Sequence, residues 1–374
     1  MAPWEIAERL VTQDQESILS QLKKDDPFWV GASYAIDPFV GIIYRLPLSN
    51  PARYGSGVNH VVFDKLVRYI LDGKLTGDDL AMAVEQFSRT CTEAEWLLWY
   101  RPILHGEIDL QIPLDLFNEY CPDEFRLSLP SLSKPKAVGA LSDLPKKFVV
   151  QPAYPYEPTF WFINSQYLPI DVRGYDQKIR RFRNSVIEDM LFDFAKKSSV
   201  DMVLFGYAAP KQLLIEDLVT RDQFTRESSS YVLHQRLAVL AKLGLPMVQI
   251  SEILTPEQPN ELYRELNLVF EQRYEGAIIR DIDAHYAFRQ QPDRLIKPSV
   301  KGVVEISQII PEVGLSGKYI RGSKRIETIV RLGLTNSILR DISEPQTGKK
   351  LDVLSCGVRG GDVMFPVFKG WRNQ

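Results

Sequence analysis

Apolar residues recur with the period of an amphipathic helix through the first third of the chain. Phe63, Leu66, Val67 and Ile70 stand at i, i+3, i+4 and i+7, and Leu80, Ala83, Val84 and Phe87 repeat the spacing, so each segment presents one apolar stripe. Gly73 and Gly77 punctuate the gap between them. Thr92 followed by Glu95 is a capping box for a third helix carrying Trp96, Leu97 and Trp99. The pattern predicts a helical bundle from Met1 to about Tyr120. A Pro/Ser/Lys-rich stretch from Ser128 to Lys136 then breaks the period and reads as a linker. Beyond it, β-rich runs (Phe148 to Val150, Thr159 to Ile163, Met202 to Phe205, Ala277 to Ile279) alternate with helical ones (Val186 to Lys197, Tyr231 to Lys242, Pro259 to Gln272). From Val303 onward, short runs separated by Gly and polar turns predict a small barrel.

Length and composition narrow the field. The 374 residues suffice for two or three domains, and 45% apolar with 25% charged residues is the balance of an ordinary globular protein. A net charge of −3 supplies no global basic field, so any surface for nucleic acid must be a local patch. Cys91, Cys121 and Cys356 are odd in number and far apart, which argues against a disulfide framework or a Cys-rich zinc site and fits a reducing compartment. No signal pattern opens the chain, and no run reaches the roughly 18 apolar residues of a membrane span. A cytoplasmic protein without a membrane partner is the simplest expectation. His60, His105, His234 and His285 show no metal spacing, and His234 has no acid at i+3 or i+4.

Candidate chemistry centres on Gln151 to Asn164, QPAYPYEPTFWFIN. This segment resembles the strand-turn-strand of ATP-dependent DNA ligases, in which a nucleophilic lysine is followed two, three and five residues later by Asp, Gly and Arg. Those four positions hold Ala153, Pro155, Tyr156 and Pro158, while the framing residues Gln151, Pro152, Tyr154, Glu157, Thr159 and Phe160 read as that family has them. YEGAIIRD, Tyr274 to Asp281, has the form of the family's fourth motif, and Tyr286, Arg289 and Lys297 are similar to the run leading into the fifth, where Ser299 replaces a second lysine and Lys301 follows. The third motif, usually Asp-Gly-Glu, is Phe205, Gly206 and Tyr207; the segment after it, Leu213 to Phe224, keeps Asp217, with Arg236 downstream. Phe63 to Phe87 and Trp99 to Pro122 resemble the N-terminal DNA-binding domain of tailed-phage ligases, including the KLTG turn, and Phe365 to Gln374 resembles the closing run of the ligase OB-fold.

The resemblance implies a multidomain α and α/β protein. A helical DNA-binding bundle (1–135) would precede a degenerate nucleotidyltransferase, an ATP-grasp-like ligase adenylation domain (136–302), and a C-terminal OB-fold β-barrel (303–374). It implies no catalytic residue, since Ala153 occupies the lysine position and alanine cannot attack a phosphate. Glu275, Arg280 and Lys297 are then vestigial nucleotide-binding positions; Glu275 and Arg280 read alternatively as a structural ion pair, and Lys297 as a contact for DNA phosphate. Lys65, Lys74, Arg101, Lys178, Arg180 and Arg181 are candidate DNA contacts, with a solvated charged face as the plainer reading of the basic run Lys178 to Arg183. Trp96, Trp99 and Tyr100 are expected in the bundle core rather than on a base-stacking platform. The partners implied are double-stranded or nicked DNA and phage or replication proteins, with the host cytoplasm as location if the protein is phage-encoded. Two alternatives stand beside this pseudoenzyme: an active ligase using a displaced lysine, Lys146 or Lys147, which alone would require ATP and Mg²⁺, and a protein-interaction or virion scaffold.

Overall fold

A computed structural model describes residues 1–37, 50–57, 60–108, 110–127, 135–138, 141–165, 170–177, 180–226, 228–272, 274–286, 293–310, 313–334, 348–359 and 361–372. Most of the expected linker, together with Lys178 and Arg289, lies outside the described residues. The chain divides into two compact units, Met1–Pro130 with Glu157–Arg226, and Ser131–Tyr156 with Glu227–Gln374. The expected division between residues 302 and 303 falls inside a strand, Val300–Ile310. No helix among the described residues is long and apolar enough to cross a membrane.

The helices of the first unit begin with α1 (Pro3–Thr12), α2 (Gln15–Ser20), α3 (Phe28–Ile36), α4 (His60–Leu71) and α5 (Gly77–Thr90). A helical run follows, α6 (Glu93–Glu95), a π turn (Trp96–Tyr100) and α7 (Arg101–Leu104), and then α8 (Leu114–Tyr120). The capping box forms as the sequence predicts: the Thr92 hydroxyl accepts from the Glu95 amide at 3.3 Å, and the Glu95 carboxylate accepts from the Thr92 amide at 2.8 Å. The π turn has a local cause. Pro102 has no amide to donate to the Leu98 carbonyl, so the helix widens just ahead of it, with Arg101 N donating to Trp96 O. Trp96, Trp99 and Tyr100 are buried with Phe28, Trp29, Phe63, Phe87 and Phe117. Trp99 stacks on Phe28 at 5.7 Å, and Phe63 meets Tyr100 at 4.5 Å between ring centroids.

The strands of the described residues come next. β1 (Lys136–Ala137) and β2 (Phe148–Pro152) belong to the second unit; β3 (Glu157–Asn164), β4 (Asp171–Asp176), β5 (Arg181–Phe182), β6 (Met202–Ala209) and β7 (Gln212–Thr220) belong to the first. These five form a sheet in the order β5-β4-β3-β6-β7, accompanied by α9 (Ser185–Ala195) and α10 (Arg221–Thr225). One face carries Phe160, Phe162, Tyr175 and Phe205 against Phe224. The other carries Trp161, which lies opposite Gly174 in the ladder, because any Cβ at 174 would collide with the indole.

In the second unit, α11 (Leu233–Leu243) and α12 (Pro259–Glu271) lead to β8 (Ala277–Asp281) and β9 (Arg294–Ile296). The sheet order is β1-β9-β8-β2, and Phe148, Val150, Ala277, Ile279 and Ile296 pack with Leu262, Leu266 and Val269 of α12 in one core. The chain then forms β10 (Val300–Ile310), β11 (Gly314–Arg321), β12 (Lys324–Val330), β13 (Lys350–Ser355), the short pair β14 (Val358–Arg359) and β15 (Asp362–Val363), and β16 (Val367–Trp371). The sheet β12-β11-β10-β13-β16 is open among the described residues, without the closure a barrel requires. Pairing between named strands is antiparallel throughout, save β1 with β9. The β-containing part is therefore mixed helix and sheet, with mostly antiparallel pairing rather than the parallel pairing of a βαβ sheet.

Gly31 of α3 faces the Trp99 ring so closely that an added Cβ would overlap it. Gly31→Ala should therefore lower stability by roughly 1–3 kcal/mol through overpacking, read as a lower urea midpoint of the intact chain.

Candidate functional site

The β2-β8-β9 ladder brings together three segments that are far apart in sequence. Gln151 pairs with Ile278 and Pro152 with Ala277; one residue on, the Ala153 amide donates to the Gly276 carbonyl at 2.9 Å. Ala277 also pairs with Ile296, which brings Lys297 to the same end of the sheet. There the Lys297 ammonium meets the Glu275 carboxylate at 2.8 Å, with both side chains largely exposed. Ala153, Glu275 and Lys297, singled out from separate motifs, thus converge. Arg280 does not join them: it is buried farther along β8, opposite Val149, 3.4 Å from Asp293.

Aromatic rings occupy the turn after Ala153. Tyr154 stacks against Tyr156 at 6.4 Å and meets Tyr274 edge-on at 5.3 Å, and its hydroxyl accepts from the Gln249 amide at 3.0 Å. Burial pushes the Tyr154 phenol up from its ordinary range, so it is protonated at neutral pH and offers no base. The hydrogen bond from Lys297 holds the Glu275 carboxyl below the usual carboxylate range. Cys356 is also no nucleophile at neutral pH, because burial pushes its thiol up to about 11. Lys146 and Lys147 precede β2 and lie beyond the end opposite Ala153. At about 3.4 Å of rise per residue, six residues separate Lys147 from Ala153 by roughly 20 Å, farther than a lysine side chain reaches.

The third-motif positions lie on β6 of the first unit. Phe205 and Tyr207 are buried, and Phe205 packs between Phe160 and Phe224. Gly206 stands at a register shift in which β7 carries one extra residue, Glu216, and the Leu214 carbonyl lies where a Cβ would go. The bulge alone accounts for a glycine there. Asp217 is buried opposite Phe205. Trp161 is fully buried, with its indole N–H donating to Thr159 Oγ1 at 3.0 Å. Arg236 is equally structural: its guanidinium donates to the Tyr231 carbonyl at 2.6 Å and lies over the Tyr286 ring. His234 finds in Asp283 the acid its helix lacks, at 3.7 Å.

The basic run is largely turned to partners within the protein. Arg180 pairs with Asp176 at 2.6 Å, and Arg183 donates to the carbonyls of Gly106 and Glu107 at 3.1 and 3.2 Å. Arg181 points inward, 3.6 Å from Glu188 and over the Tyr175 ring, where burial pushes its pKa down. The solvated face expected from sequence is thus replaced by pairing, although Arg180 remains about half exposed.

On the bundle, Lys65 and Lys74 come together. Gly73, at φ +68°, ends α4 with the Lys74 amide donating to the Tyr69 carbonyl at 2.9 Å, a Schellman-type cap. This turns Lys74 back over the Tyr69 ring, 5.3 Å from its centroid, where Lys65 one turn earlier also lies at 5.5 Å. Asp72 partly neutralises Lys74 at 2.7 Å. Arg101 donates to Asn50 Oδ1 at 3.2 Å. The signal missed in sequence was Tyr69, four residues after Lys65 and five before Lys74.

No protein-family model matches the chain, and no curated protein sequence matches it. Solved structures do resemble it. One named Pmar-Lig_PreS3 aligns over 99% of this chain and 99% of its own at 17% identity and a TM-score of 0.43. The Chlorella virus DNA ligase-adenylate aligns over 66% of this chain and 99% of its own at 15% identity and TM-score 0.37. The ATP-dependent DNA ligase from bacteriophage T7, in complex with ATP, covers 64% and 98% at 8% identity and TM-score 0.41. Such distant likenesses assign this chain no activity.

Lys297→Gln should return the Glu275 pKa upward to its ordinary value, as read by carboxyl NMR titration. The lowered pKa means that the pair contributes above the unfolded carboxylate pKa and is lost as pH falls through the folded one. Because both groups are exposed, the melting temperature should change little.

Proposed function

We propose that this chain is a ligase-like DNA-binding protein that does not form a lysyl-adenylate, built from a helical DNA-binding part, a vestigial nucleotidyltransferase part and an OB-like C-terminal part, and acting on duplex or nicked DNA in phage-type replication or repair. The observation carrying the reading is the end of the β2-β8-β9 ladder. The ordered remains of three ligase-like motifs meet there around Ala153, with the Lys297 ammonium held by Glu275. Scaffold without nucleophile is the arrangement expected of a protein that keeps a binding shape and lacks the covalent step.

The residues do not suit ATP and Mg²⁺ as reactants. A magnesium–nucleotide site draws on one or two free carboxylates, and the third-motif positions instead hold buried Phe205 and Tyr207. The displaced-lysine alternative meets the separation along β2 given above. Binding, by contrast, asks only for cations that reach phosphate, and Lys65 and Lys74, gathered on one exposed tyrosine, supply two.

Incubation with ATP and Mg²⁺ should yield no covalent nucleotide adduct by intact-mass measurement; an adduct on Lys146 or Lys147 would establish the active-ligase alternative. Ala153→Lys should likewise seal no nicks, because one amine restores neither the metal ligands nor the fifth-motif lysine position held by Ser299. The intact protein should shift nicked duplex in a mobility assay. Lys65→Glu with Lys74→Glu should weaken that binding severalfold and flatten the salt dependence by about 0.9 in log–log slope per lost phosphate contact. Absence of any shift would favour the scaffold alternative.

A further inference from the structure

We propose that the helical part holds a small-molecule site for a linear di- or polyamine, in the cavity between α3, α4 and the segment that follows α8; this goes beyond the DNA-binding reading and does not rest on it. The cavity measures about 420 Å³, within the range of small-ligand sites. Exposed Val61 belongs to its lining, so it reaches the surface there. Its walls are tied to one another. The Tyr34 hydroxyl of α3 donates to Asp64 Oδ1 of α4 at 2.5 Å, and Arg68 Nε meets Asp64 Oδ2 at 2.9 Å. Burial and the Asp64 carboxylate push the Tyr34 phenol far above its ordinary range, which keeps it protonated as that donor. The third wall runs from Glu124 to Leu127. Asn118 fixes it, donating to the Leu127 carbonyl at 2.8 Å and accepting from the Leu127 amide at 2.9 Å.

The lining mixes hydrocarbon with separated charges. Val30, Phe125 and Leu127 supply apolar surface. The acids stand on different elements: Asp37 just after α3, Asp64 within α4 and Glu124 on the third wall. Among the described residues no three His, Cys, Asp or Glu side chains are placed to hold a metal ion, so these acids are separate anchors. Both guanidinium groups of the lining already face a carboxylate, Arg68 at Asp64 and Arg126 at Asp123, 3.3 Å away. Glu124 has neither a cationic partner nor a side-chain hydrogen bond among the described residues. Carboxylate is thus in surplus, which repels a phosphate or carboxylate ligand and favours ammonium groups as donors of charge-assisted hydrogen bonds. Acids on different walls with hydrocarbon between them suit ammonium groups joined by methylene runs. The aromatic rings of Tyr34 and Phe125 add attraction for a cation.

The test titrates spermidine into the full chain, without DNA, by isothermal calorimetry, with cadaverine and its uncharged counterpart pentanediol as further probes. Spermidine should bind saturably at a single site, cadaverine more weakly and pentanediol not at all. D37N/E124Q should weaken spermidine binding roughly tenfold or more, the loss expected for two charge-assisted contacts. E124Q alone, at an exposed position, should weaken it severalfold with unchanged thermal unfolding. V61W places an indole at the exposed mouth and should abolish binding, again without changing the unfolding of the free chain. The control E252Q/E271Q removes the same charge from exposed positions elsewhere and should bind as the parent does. The proposal is overturned by any of four results: no saturable spermidine binding, pentanediol binding as tightly as cadaverine, V61W binding as the parent does, or the control losing as much affinity as D37N/E124Q.

Discussion

The register of β2 against β8 is the constraint on which the candidate site depends. Side chains alternate along each strand, so a slip of one residue would carry Ala277 and Ile279 out of the core and bring Ile278 and Arg280 into it. Burying Ala277 and Ile279 with Phe148, Val150 and Ile296 on α12 forbids that slip. With the register fixed, Ala153 must stand beside Gly276, and Glu275 must stand within reach of Lys297. A pair of exposed charges of little energetic weight is thereby placed by a hydrophobic core.

The two segments that differ from the ligase-like motifs belong to different sheets. One ends this ladder at Ala153. The other lies on β6, where Phe205 and Tyr207 are buried. Each is compatible with a well-packed neighbourhood: three tyrosines pack on one another around the first, and Phe160 and Phe224 flank the second.

What the sequence disclosed was what local periodicity encodes. The α4 stripe buries Phe63, Leu66 and Val67 as its spacing requires, and the Thr92–Glu95 box caps where it should. Convergence of Ala153, Glu275 and Lys297 was accessible only through motif order, since no local pattern joins residues more than a hundred positions apart. Pairings between distant strands and helices were not accessible. Arg181 reads as one more charge in a basic run until Glu188 and Tyr175 are seen to enclose it. Arg173 and Asp171, two residues apart and 2.8 Å from each other, look like ordinary polar strand positions until their burial is known. His234 lacked an acid only along its own helix.

The ring of Phe205 constrains what else this position can hold. It packs between Phe160 and Phe224 in a buried aromatic cluster. A carboxylate introduced there would be stripped of its hydration without a partner, a penalty on the order of several kcal/mol and comparable with the whole margin by which many domains stay folded. An acid at this position would therefore require the surrounding aromatics to change at nearly the same time. The sheet thus makes position 205 a place where charge is reached only by several substitutions together, while single apolar changes stay within the folded margin.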